Sequence, residues 1–173
     1  MNGRIFKKDG KYYTALQVMR KIGGNSMLNE DILNTVVRSA MDAMRNAYTE
    51  HNTLSVGACV MASDGTIYTG CTIDNSCAPL TMTAEMVAMA KAVSDGKREF
   101  DAIAVIADTE KPYIPSGLSC QLLAEFRVPE IIMANVKGDV ESVQLEDLFP
   151  YALRREEQFS GEPTFLFDVD EED

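Results

Sequence analysis

Residues 80–126 read LTMTAEMVAMAKAVSDGKREFDAIAVIADTEKPYIPSGLSCQLLAEF, and this stretch decides the fold class. The run 83–93 predicts a helix that Asp95-Gly96 brings to an end. FDAIAVIAD (100–108) is an unbroken apolar run of the kind made by a strand buried on both faces. A short helix is expected over 119–126. A helix, a two-sided buried strand and a second helix in close succession are the repeating unit of a layered α/β domain.

The flanks continue the pattern. Downstream, EIIMAN (130–135) predicts another buried strand and LEDLFPYAL (145–153) a last short helix or turn. Upstream, residues 29–48 predict a helix, because Ile32, Leu33, Val36, Val37, Ala40, Ala43, Met44 and Ala47 recur at three- and four-residue intervals. SVGACVMAS (55–63) and TIYTGCTI (66–73) read as two strands joined by a tight turn at Asp64-Gly65. Together these elements predict a three-layer α/β/α sandwich on a mixed sheet. Residues 3–13 read as a small hairpin turning at Lys8-Asp9-Gly10-Lys11, and TALQVMRKI (14–22) as a short helix ended by Gly23-Gly24. The expected organisation is an N-terminal extension over 1–28, the sandwich over 29–155 and an acidic tail over 156–173.

Composition bounds the function. The chain has 173 residues, 46% hydrophobic and 25% charged, enough for one domain with a proper core. A net charge of -11 argues against a nucleic-acid partner, whose backbone needs a basic face. The acids are concentrated: residues 156–173 hold Glu156, Glu157, Glu162, Asp168, Asp170, Glu171, Glu172 and Asp173, with no Lys or Arg. Such a run is ordinarily a solvated tail, although Phe165-Leu166-Phe167 gives it a segment able to dock. No apolar run reaches the roughly 18 residues of a membrane span, and MNGRIFKKDGKYY lacks the apolar core of a secretory signal, so a cytoplasmic location is expected. Cys59, Cys71, Cys77 and Cys120 form no CxxC pair and read as reduced thiols, with a disulfide left open by spacing alone.

Two triplets carry the chemistry: Thr83-Ala84-Glu85 at the head of one helix, and Pro115-Ser116 followed by Ser119 at the head of the next. Zinc deaminases place a His- or Cys-x-Glu triplet and a Pro-Cys-x-x-Cys motif at these points. The spacing, the Glu and the Pro are kept here, while every ligand position holds a hydroxyl. The surroundings strengthen the likeness. SVGACVMASDGTIYTGCTIDN, residues 80–126 and MANVKGDVESVQLEDLFPYAL together make residues 48–153 resemble the small homotetrameric cytidine deaminases.

That resemblance implies a mixed five-stranded sheet and a role for each position. The catalytic Glu falls on Glu85, and the three zinc-ligating Cys fall on Thr83, Ser116 and Ser119. The Arg that tempers thiolate charge falls on Met86, the ribose-binding Asn and Glu on Thr72 and Asp74, and the base-pocket aromatic on Leu54. Substrate contacts are therefore expected from Leu54, Thr72, Asp74, Thr83, Ala84, Ser116 and Ser119, with Glu85 as the acid–base group. A homotetramer with sites at subunit boundaries is implied by resemblance alone. Zinc is the family's cofactor, but this ligand set predicts no metal and no cofactor. Cys120 is offset by about 100° around its helix from Ser119, on the wrong side to replace it. Cys59, Cys71 and Cys120 read as small buried residues, and His51 as a surface or packing residue.

The chemical consequence is large. Zinc lowers the pKa of bound water from 15.7 to about 7, so its loss removes hydroxide on the order of 10⁸-fold. Glu85 as a general acid–base group supplies about 10²–10⁴. Thr83 and Ser116 also suit helix N-caps, which is compatible with facing a ligand. Three functions stay open on the sequence: a nucleoside-binding or structural homologue that does not deaminate, a zinc-free enzyme acting on a nucleoside or related heterocycle through Glu85, and a deaminase with an atypical metal site.

Overall fold

A computed structural model describes residues 5–8, 11–14, 26, 28–51 and 54–153. The expected helix over 14–22 and the acidic tail lie outside them. Strands β1 (Ile5–Lys8) and β2 (Lys11–Thr14) pair antiparallel, Lys8 opposite Lys11, as the hairpin pattern predicts.

The main sheet has five strands: β3 (Val56–Ala62), β4 (Ile67–Cys71), β5 (Phe100–Ala107), β6 (Glu130–Asn135) and β7 (Val140–Gln144), in the order β4-β3-β5-β6-β7. It is mixed, since β5 and β6 run parallel and every other pair runs antiparallel. Helix α1 (Glu30–Met44) covers one face; α2 (Ala84–Ser94), α3 (Gly117–Glu125) and the single turn α4 (Leu145–Leu148) belong to the other. The expected α/β/α sandwich is therefore the fold. Among the described residues no helix is long and apolar enough to cross a membrane.

Side-chain alternation explains why the central strands are apolar throughout. Val56, Ala58 and Val60 of β3, Val105 of β5 and Ile131 of β6 point to the core under α2 and α3. Cys59, Met61, Ala104, Ile106 and Ile132 point to the core under α1. Each strand is buried on both sides, which requires apolar residues at odd and even positions alike. The Asp64-Gly65 turn forms as expected, with Gly65 at φ 83°, a region that suits glycine.

Two glycines let the helices sit close. A Cβ on Gly57 would lie 2.0 Å from the Ala40 carbonyl oxygen of α1. One on Gly70 would lie 2.2 Å from the Ala84 carbonyl oxygen of α2. The backbones of β3 and β4 thus touch the helices directly, on opposite faces of the sheet.

Three boundaries differ from expectation. Helix α1 ends at Met44 rather than near 48, because Tyr48 donates its amide to the Thr72 carbonyl (3.0 Å) and accepts from Asp74 N (2.8 Å). Helix α3 starts at Gly117, two residues before the expected start, since Ser116 caps it. Strand β7, VESVQ, is an edge strand whose polar sequence gave little sign of pairing with β6.

Candidate functional site

The site forms where α2 and α3 begin. Thr83 and Ser116 are their N-caps: Thr83 Oγ1 accepts from Met86 N at 3.2 Å, and Ser116 Oγ accepts from Ser119 N at 3.2 Å. Both residues have extended backbone, as a cap requires. The hydroxyls also meet each other. Thr83 Oγ1 and Ser119 Oγ are 3.1 Å apart, and Ser116 Oγ donates to Ser119 Oγ at 3.3 Å. Three hydroxyls from two helix starts therefore form one hydrogen-bonded cluster, with Ser119 fully buried at its centre.

Glu85 stands in the first turn of α2 and is fully buried. Neither of its carboxylate oxygens has a hydrogen-bond partner in acceptable geometry among the described residues. Burial pushes its carboxyl up from the ordinary carboxylate range. Its own backbone N–H and the Thr83 and Ser119 hydroxyls pull the other way, with smaller effect. Ala84, beside it, is fully buried in the core under α2 and α3.

The remaining expected contacts form a second group. Thr72 Oγ1 donates to the Leu54 carbonyl and accepts from Val56 N, both at 3.1 Å. Asp74 accepts at Oδ2 from His51 N (2.7 Å) and at Oδ1 from Asn75 N (2.9 Å) and Thr81 Oγ1 (3.0 Å). Thr72 and Asp74 are both buried, whereas Leu54 is 42% exposed. His51 also reaches Ser76 Oγ through Nε2 at 3.2 Å. The backbone bonds Ile73 N to Met82 O and Met82 N to Ile73 O link this loop to the residue before Thr83.

Tyr113 was not singled out by sequence reasoning. Half-buried, its phenol is pushed up to about 12, first by burial and then by the charge of Glu85. The only available signal was an aromatic residue shortly before Pro115-Ser116. Cys120 points into the core as a small apolar residue, with its thiol pushed up by burial and then by Glu85. Cys59 is likewise buried, its thiol pushed up to about 12 mainly by desolvation. Cys71 is only half-buried, short of the burial expected, and Cys77 is exposed; all four cysteines are unpaired.

Comparison with known proteins agrees with this geometry. The profile described as the cytidine and deoxycytidylate deaminase zinc-binding region matches residues 31–135. A cytidine deaminase of Sporosarcina psychrophila is 42% identical over 125 residues, covering 70% of this chain and 91% of that protein. One from Halalkalibacterium halodurans is 34% identical over 124 residues, covering 70% and 94%. Among solved structures, the cytidine deaminase of Burkholderia pseudomallei superposes with a TM-score of 0.68 at 32% identity, covering 73% of this chain and all of the other. An α/β/α sandwich with two helix starts converging on a buried glutamate defines a deaminase-type scaffold. The chain belongs to the cytidine and deoxycytidylate deaminase family.

The family implies zinc, and the donors present can be weighed for it. Zinc is held by deprotonated Cys, by His or by carboxylate, whereas Thr83, Ser116 and Ser119 offer neutral hydroxyls already bonded to one another and, for two of them, to backbone N–H groups. Among the described residues no group of three or more His, Cys, Asp or Glu gathers elsewhere. The donor set does not fit zinc.

Proposed function

We propose that this chain is a zinc-free member of the deaminase family that binds a nucleoside or related heterocycle without hydrolytic deamination. The observation that carries this reading is the Thr83–Ser119–Ser116 hydroxyl cluster, which satisfies itself where the family description calls for a metal. Structural zinc draws about 10–16 kcal/mol from deprotonated ligands, and neutral hydroxyls do not offer that. Glu85 supports the ligand half of the reading, because a fully buried carboxyl with both oxygens unpartnered has hydrogen-bonding capacity left for a ligand. Leu54, Ala84, Thr83, Ser116 and Ser119 are the contacts proposed beside it, and Thr72 and Asp74 border them. The four unpaired thiols suit a cytoplasmic protein.

Purified full-length protein tests this by two measurements on one sample: zinc per subunit by elemental analysis, and uridine formed from cytidine by chromatography. The expected result is a ratio near zero and no uridine. One zinc per subunit with uridine formation would replace this reading with that of a deaminase with an atypical site.

The raised Glu85 carboxyl favours a second reading, a zinc-free enzyme in which Glu85 exchanges a proton with a heterocycle. Comparing wild type with Glu85→Gln across a nucleoside panel decides it. Conversion of any nucleoside by wild type alone would establish the enzyme; no conversion by either ends it. For assembly, the proposal is a homo-oligomer, tetrameric as in the family it resembles, checked by size-exclusion chromatography with light scattering.

A further inference from the structure

The two ends of the chain carry opposite charge. Residues 1–28 hold Arg4, Lys7, Lys8, Lys11, Arg20 and Lys21 against the single acid Asp9, whereas residues 156–173 hold acids and no base. Within the basic end, β1 (Ile5–Lys8) and β2 (Lys11–Thr14) form a sheet of two strands among the described residues, with three lysines and no acid in its eight positions. Such a hairpin is marginal in water and gains independent stability from a third strand. Its register adds a second weakness, since Lys8 stands opposite Lys11 and like charges at paired positions destabilise a sheet. The hairpin thus lacks both a strand and negative charge.

The acidic tail offers both. After Pro163, a residue type that suits the start of a strand, Thr164-Phe165-Leu166-Phe167-Asp168-Val169 is a run of mainly strand-forming types, and Asp170, Glu171, Glu172 and Asp173 follow it. We propose that residues 164–169 add as a third strand to the β1–β2 hairpin of the same chain, with the acids from Asp168 onward offsetting its lysines. Charge selects this edge over the outer edges of the main sheet. β7 contains Glu141 and is followed by Glu146 and Asp147, and β4 runs between Asp64 and Asp74, so either would set carboxylate beside carboxylate. Reach permits the pairing. The last described residue, Leu153, is fixed to α3 by Gln121, whose Nε2 donates to Leu153 O (2.9 Å) and whose Oε1 accepts from Leu153 N (2.8 Å). The eleven residues from there to Thr164 can span up to about 36 Å, close to the diameter of a domain of this size.

The test is zero-length carbodiimide cross-linking of the full chain, followed by denaturing electrophoresis and peptide mapping of the monomer band. The expected links join Lys7, Lys8 or Lys11 to carboxyls of residues 168–173. The same links found only in the dimer band place the strand on a second copy and overturn the proposal. Tail links confined to Lys91, Lys97, Lys111 or Lys137 of the sandwich overturn it too, as does the absence of any link. Hydrogen–deuterium exchange supplies a second measurement. Phe165→Ser with Phe167→Ser leaves the hairpin and the sandwich unaltered in sequence, and should speed amide exchange over residues 5–14 by about tenfold. Exchange there unchanged from wild type overturns the proposal.

Discussion

The hydroxyls of Thr83 and Ser119 lie 3.1 Å apart, although one residue caps α2 and the other sits in the first turn of α3. This bond ties together two helix starts that are well separated in sequence. Thr83→Val removes it together with the cap on Met86 N, at an expected cost of about 1–2 kcal/mol in urea denaturation. Thr83→Ser keeps the oxygen and should stay within about 0.5 kcal/mol of wild type.

Converting the cluster to thiols should convert its metal chemistry. The triple variant Thr83→Cys, Ser116→Cys, Ser119→Cys is expected to purify with close to one zinc per subunit, against a value near zero for wild type. The helix starts that hold the three hydroxyls in contact would hold three thiolates around one ion. Elemental analysis after extensive dialysis checks this without reference to activity.

The pH dependence of stability should carry the signature of Glu85. Burial holds its folded carboxyl above the ordinary carboxylate range, so the native state holds a proton that the unfolded chain releases earlier. Stability therefore falls as pH rises from about 4.5 through the raised value, and is level above it. Glu85→Gln removes this loss. The variant should match wild type near about pH 4 and exceed it near about pH 8, as read by chemical denaturation at each pH.

The glycines should rank by what surrounds them. Gly57→Ala and Gly70→Ala place a methyl against helix backbone, which cannot rotate away, and should cost about 3 kcal/mol or more. Gly65→Ala meets nothing within 4 Å but must adopt φ 83°, so about 1–2 kcal/mol is expected. Thermal or denaturant unfolding of the three variants gives the order directly.

Most of the sandwich was legible in the sequence because its three central strands are buried on both faces, and a two-sided strand such as FDAIAVIA is unbroken in its apolarity. The helix starts were legible too, since Thr83 and Ser116 are residue types that cap. What escaped was decided by distant partners. Nothing local in Tyr48 tells that Thr72 and Asp74 will draw its backbone out of α1. VESVQ has a pattern of edge polarity, and its pairing depends on the presence of β6. At the site, the sequence placed Thr83, Glu85, Ser116 and Ser119 at two helix heads, and the fold brings the three hydroxyls within hydrogen-bonding distance. It could not tell that Asp74 would accept from His51 N, Asn75 N and Thr81 Oγ1, because those partners meet only when the loop closes.

The contact of Gly70 with the Ala84 carbonyl fixes how the start of α2 responds to evolution. Ala84 is the residue directly before Glu85, so the depth at which Glu85 sits is gauged by the sheet. A scaffold with such an internal ruler decouples the architecture of the site from its contents. On the proposed zinc-free reading, chelators should leave the unfolding curve unmoved. The hydroxyl cluster can then change one side chain at a time, which makes the two helix starts a tolerant starting point for redesign.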